Sequence, residues 1–289
     1  MKQKGLQMRK ILLSIALIGI LATPHSLIAK DKVVNIYSAR KEALILPLLQ
    51  RFKKETGISF RLVTGKADGL LKRLEIEGSL SPADVFITVD AGRLQRAKNS
   101  GVLQKIDNRI LKERIPASLR DSENYWFGLS QRARTIIYNK LNLDATKLST
   151  YEDLASPRWK GQLCIRSSDS VYNQSLVASM IEVNGIEITE SWARGLVKNF
   201  ARPPTGGDTD LLKATAAGQC SIALANTYYF GRLINSKISS ERKAAQNLAV
   251  FWPNQSTGDR GVHVNVSGAG VTKHARNINE AISLLEFLV

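Results

Sequence analysis

The chain has 289 residues, 44% of them hydrophobic, with 41 lysines and arginines against 25 aspartates and glutamates for a formal charge of +16. That much apolar material supports a large core and excludes a disordered chain. Two cysteines and three scattered histidines exclude a disulfide scaffold and a zinc module, which needs closely spaced ligand pairs, so any metal here is held by oxygen.

In chain order, Lys2, Lys4, Arg9 and Lys10 precede an apolar run over residues 11–22, followed by a mixed segment ending at Ala29. This is the layout of a secretory signal, and the run falls short of the roughly 20 residues a membrane-spanning helix needs. With no lipobox cysteine and no twin arginine, residues 1–29 read as a removable leader and the mature chain as a free exported protein. Residues 33–37 then read as a strand. The stretch up to residue 55 sets Leu44, Leu48, Leu49 and Phe52 at helical spacing before Gly57, and Pro47 marks a helix start or bend. Residues 58–63 are the next strand, 67–77 a charged amphipathic helix and 84–89 a buried strand. That alternation predicts a parallel, doubly wound sheet. It resumes after Trp126, with strands near residues 134–139, 162–166 and 221–226 separated by helical stretches, so two sheets are expected. The loop signals at Ser81-Pro82, Ser156-Pro157, residues 203–207 and residues 253–261 are too short for a flexible linker; two lobes would be joined by strands that cross between them. Asp208, after Gly206-Gly207, reads as part of a helix cap, and Asp84 as a strand-start residue that shapes its lobe.

Export places the chain in an oxidising compartment. Cys164 lies in one strand-like run and Cys220 begins another, so adjacent strands would bring them within disulfide distance. Ligands of open α/β sheets sit beyond the carboxyl ends of strands. That rule points to Tyr37 at the end of the first strand, Tyr172 after the polar loop of residues 167–170, and Tyr228-Tyr229 after Asn226-Thr227. Neighbouring side chains on a strand point opposite ways, so such a pair seldom fits one core. Spacing alone leaves open whether these tyrosines bind a metal or merely line a wet pocket. The chain offers no nucleophile with a base, no paired carboxylates in a shared motif and no phosphate-cradling loop, so an enzyme is not expected. Its positive charge is spread without a basic block, which argues against a nucleic-acid or membrane surface.

Several motifs together carry a resemblance: residues 81–86 (SPADVF), Arg132-Ala133-Arg134 followed by Ile137-Tyr138-Asn139, residues 157–161 (PRWKG), residues 207–210 (GDTD), and residues 226–232 (NTYYFGR). The chain resembles the periplasmic ferric-ion-binding proteins of bacterial iron ABC importers over nearly all of its mature length. Residues 165–168 leading to Val171-Tyr172-Asn173-Gln174 are similar to the cyanobacterial-type branch. The resemblance implies a type II periplasmic-binding fold, two α/β lobes closing on one ligand. Lobe 1 would comprise residues 30–131 and return with residues 253–289. Lobe 2 would comprise residues 132–252, with the hinge near Gln131 and Trp252. It implies Tyr228, Tyr229 and Tyr172 as iron ligands, and Tyr37 is the preferred fourth. Glu42 is the fallback, since Lys41-Glu42 stands where some branches read His-Tyr. Val89-Asp90 occupies the region where other members place a glutamate ligand.

Ferric iron is a hard ion that prefers anionic oxygen, and a phenol with an ordinary pKa of about 10 must lose its proton to bind it. Four phenolates around a trivalent ion leave one net negative charge, which a buried site tolerates only beside a cation. Arg134, Arg232, Arg132 and Arg40 are the candidates. The expected activity is that of a monomeric periplasmic receptor that carries Fe(III) to an inner-membrane ABC permease. A synergistic anion such as phosphate or carbonate stays open, and the alternative is a carrier of an anion, a polyamine or thiamine. The family usually runs some tens of residues beyond the point where this chain ends, so a terminal segment of the fold is expected to be missing.

Overall fold

The computed structural model describes residues 32–289; the leader expected over residues 1–29 lies outside them. The order is β1 (Val33–Ser38), α1 (Glu42–Thr56), β2 (Ser59–Thr64), α2 (Ala67–Glu77), β3 (Val85–Val89), α3 (Ala91–Asn99) and α4 (Arg109–Arg114). The long strand β4 (Phe127–Asn139) is followed by β5 (Leu163–Cys164), α5 (Val171–Asn184), α6 (Ile186–Lys198), α7 (Asp208–Ala216) and β6 (Ile222–Asn226). The chain then forms α8 (Thr227–Ile234), α9 (Ser239–Gln246), β7 (Leu248–Phe251), β8 (Val264–Val271) and α10 (Ile278–Phe287).

Helix α1 buries Ile45, Leu49 and Phe52 and stops at Gly57, whose φ of 72° is the left-handed position glycine adopts without strain. Pro47 neither starts nor breaks it. The carbonyl deprived of its partner belongs to Ala43, on the exposed side of the first turns, where it is open to solvent. Five N–H groups converge on the buried carboxylate of Asp84: two from Asn35, two from Asn277 and one from the Arg276 backbone. Asp84 thus ties β1 to the start of α10.

Strand β1 pairs in parallel with β2 and β3, while β8 lies antiparallel between β3 and β4. The order is β2-β1-β3-β8-β4-β6-β5, with β7 also on β4. The expectation of parallel sheets is corrected, while the expected crossing strand is present. The sheets are mixed, and they share β4: residues 127–133 pair with β8, and residues 134–139 pair with β6 and β7. A chain that crosses from the first half to the second along β4 must come back in the opposite sense, so its return strand is antiparallel. The crossing is close-packed. A Cβ on Gly268 would lie 2.3 Å from the Phe127 carbonyl oxygen.

Period-2 alternation gives each half two cores, one per sheet face. Val34 and Ile36 pack with Leu49, Phe52, Leu111 and Leu284, whereas Tyr37 and Phe86 pack on the opposite face with Leu70, Leu74 and Leu94. In the second half, Ile136 and Leu224 meet Leu176, Met180 and Trp192, while Ile137 and Ala223 meet Leu211, Leu212 and Leu233. Between the pairs of cores, Ser130 and Gln131 of β4 are exposed. Strands β5 and β6 are parallel neighbours, and Cys164 forms a disulfide with Cys220 just before β6, at a Cα separation of 5.8 Å.

Candidate functional site

Three phenols meet at the starts of two helices. Tyr172 is the second residue of α5; Tyr228 and Tyr229 are the second and third of α8, which begins directly after β6. The Tyr228-Tyr229 pair follows β6 as expected, but it lies on a helix. Successive side chains diverge there by about 100° instead of pointing opposite ways, so both rings can share one side. Their centroids lie 4.3 Å apart. The Tyr228 hydroxyl donates to the Tyr172 hydroxyl at 3.1 Å, and Asn226 donates its side-chain N–H to Tyr228 at 3.3 Å.

Arginines surround the phenols. The guanidinium carbons of Arg132, Arg166 and Arg134 lie 5.3, 5.5 and 5.9 Å from the Tyr172 ring centroid, and that of Arg232 lies 5.5 Å from Tyr229. Arg132 and Arg134 share a face of β4, as their spacing requires. Arg134 is 1% exposed and donates to Asn173 at 2.7 Å, the Leu224 carbonyl at 3.0 Å, Asn226 at 3.3 Å and Asp208 at 3.4 Å. Asp208 is thus an ion partner, while Asp210 caps α7 by accepting the Gly207 N–H at 2.8 Å. Arg132 pairs with Asp90 at 2.9 Å. Arg232 is exposed and donates to Thr209 at 3.1 Å. Arg166 received no role from the sequence; its only signal is its place in the motif of residues 165–168, two positions past β5. Arg40, in the loop after β1, stacks on none of the three rings; its backbone N–H donates to the Ser38 hydroxyl.

The structure also moves Tyr37 out of the constellation. Alternation in β1 sends it to the face opposite Ile36, where it is 1% exposed. Its hydroxyl donates to Glu77 at 3.0 Å, and Arg73 lies 4.8 Å from its ring. Tyr37 is a core residue with a satisfied polar end. Glu42 stands exposed in the first turn of α1.

Burial pushes the Tyr172 and Tyr228 hydroxyls up to about 12, and the neighbouring Tyr228 adds to the effect at Tyr172. Burial raises Tyr229 as well. All three are neutral phenols at neutral pH. Behind them His263 lines a small cavity with Asp90, Arg132 and Arg134, and burial followed by those guanidinium charges presses its imidazole down to about 4. Among the described residues no three His, Cys, Asp or Glu side chains gather where they could hold a metal ion. Phenol oxygen is the metal chemistry this half of the molecule concentrates.

Residues 81–289 match the family model of bacterial extracellular solute-binding proteins. Iron uptake protein A1 of Synechocystis sp. is 48% identical over 260 residues, spanning 90% of this chain and 72% of the relative. Among solved structures, Trichodesmium IdiA (FutA) in complex with iron and citrate superposes with a TM-score of 0.84 at 50% identity, covering 89% of this chain and 80% of that one. The ferric binding protein from Campylobacter jejuni gives a TM-score of 0.83 at 41% identity, covering 88% and 80%.

Proposed function

Because this chain belongs to the bacterial extracellular solute-binding proteins, we propose that it is a periplasmic receptor that binds ferric iron and delivers it to an inner-membrane ABC permease. The chain has the two-lobed α/β fold of the type II periplasmic binding proteins. The observation that carries the reading is the convergence of Tyr172, Tyr228 and Tyr229 from two separate helix starts, with four arginines stacked around them. Three phenolates neutralise a trivalent ion, and anionic oxygen is the donor a hard ion prefers. Arg132 and Arg134 each have a carboxylate partner already, which leaves Arg166 and Arg232 to stabilise the phenolates as their protons leave.

With Tyr37 committed to Glu77, the protein's fourth ligand falls to Glu42 on the first lobe, or the position is filled by a synergistic anion. The lobes run from residue 30 to 131 and from 132 to 252, with residues 253–289 returning to the first. Two features support a hinge near Gln131 and Trp252: Gln131 is exposed just before β4 changes partners, and Trp252 is 48% exposed directly after β7. Export by residues 1–29 and a monomeric state complete the reading.

Ferric citrate added to desalted protein tests it. An orange to red phenolate-to-iron charge-transfer colour should saturate at one iron per chain. A protein that stays colourless but binds an anion, a polyamine or thiamine would overturn the assignment.

A further inference from the structure

Asp90 ends β3 with a φ of 85°, a left-handed backbone position uncommon for residues with a side chain, and it is 1% exposed. Strain of this kind persists only where surrounding contacts enforce it. Four groups supply those contacts. The Gly92 N–H donates at 3.1 Å as a helix cap, Arg132 of β4 at 2.9 Å, Asn265 of β8 at 3.0 Å, and the Ser175 hydroxyl lies 2.7 Å from both carboxylate oxygens. Capping α3 needs a single acceptor, which serine or asparagine would provide. The second oxygen and the charge serve Arg132 and Ser175.

Ser175 belongs to the other half of the molecule. It lies on α5, three residues after Tyr172 and so on the same helix face. The bond from Ser175 to Asp90 joins residues 32–131 directly to residues 132–252, as does that from Arg132 to Asp90, while Asn254 and Arg260 of the return segment bond to Tyr151, Glu152 and Ser179. The same carboxylate holds Arg132, whose guanidinium lies 5.3 Å from the Tyr172 ring. One buried group therefore grips both the helix that presents a phenol and the arginine stacked on it.

We propose that Asp90 and Ser175 form a latch between the halves, a positioning pair that keeps α5 and Arg132 in the arrangement that retains iron. The latch rests on the iron-binding reading above. It alters the rate at which cargo leaves without supplying a ligand.

Ser175→Ala removes the bond from α5 to Asp90 and touches neither the phenols nor a core. Protein loaded with ferric citrate would be mixed with excess chelator while the charge-transfer band is followed by stopped flow, and its radius of gyration measured by small-angle scattering. Ser175→Ala should keep the wild-type band position and the apo melting temperature, release iron about tenfold faster and show a more expanded loaded form. Ser175→Thr, which keeps a hydroxyl, should restore slow release. Asp90→Asn, which keeps the cap but loses the ion pair to Arg132, should release faster and also shift the band. A wild-type protein without the band would refute the iron reading and this inference with it. A normal wild-type band with Ser175→Ala releasing within twofold of wild type would overturn the latch alone.

Discussion

Iron binding at Tyr172, Tyr228 and Tyr229 should be a proton-releasing reaction with a measurable stoichiometry. Burial holds the first two hydroxyls near 12 and raises the third, so the free protein carries all three protons throughout the neutral range. The binding form is the phenolate; protons and iron therefore compete, and affinity falls as pH falls. With three protons displaced per iron, the binding constant should drop about a thousandfold for each unit of acidification, with no plateau until the pH approaches the phenol pKa values. Tyr229→Phe deletes one of the three protons, so its dependence should weaken to about a hundredfold per unit. Competition against a chelator, corrected for the chelator's own protonation, gives the slope; a pH-stat gives the protons directly. Release of fewer than one proton per iron, or an identical slope in Tyr229→Phe, would show that these phenols do not ligate the iron.

Acid should also weaken the apo fold through His263. Its folded pKa of about 4 lies below the ordinary 6.5, because burial and Arg132, Arg134 and Arg260 oppose the proton while Asp90 favours it. The unfolded chain binds that proton first, so stability is full above 6.5 and is lost as pH falls to about 4, by about 3 kcal/mol. Denaturant midpoints against pH should fall less steeply in His263→Gln; parallel curves would contradict this. Reducing the Cys164–Cys220 disulfide, which spans 56 residues, should lower the unfolding free energy by roughly 4 kcal/mol. Urea unfolding with and without reductant reads this, and an unchanged midpoint would argue that the bridge adds nothing. Tyr37→Phe should cost about 1 kcal/mol for its bond to Glu77 and leave the iron colour intact. Loss of the colour would return Tyr37 to the ligand set.

The elements most legible in the sequence are those whose pattern is local. Leu70, Leu71 and Leu74 repeat on one face of α2, and the apolar runs of β1 and β3 carry their own signal. The first part of β4 is silent because Ser130 and Gln131 are exposed at the crossing, and its partner β8 lies near the other end of the chain. Tyr172, Tyr228 and Tyr229 are legible as polar aromatics just past strands, and the resemblance gives them a role. Tyr37 satisfies the same rule and fails it in space. Both faces of β1 are buried, and nothing in its sequence says that Tyr37 meets α2 instead of the tyrosine cluster. Arg166 has only its place in a motif and Asp90 only the local cap of α3, because their further roles come from residues that only the fold brings near.

If three phenol oxygens of one lobe hold the iron, the metal itself can be located there. Crystals prepared with ferric citrate and measured across the iron absorption edge locate the metal without reference to colour or affinity. One anomalous peak is expected within bonding distance of the hydroxyl oxygens of Tyr172, Tyr228 and Tyr229. A saturated crystal whose iron peak lies away from all three would contradict it.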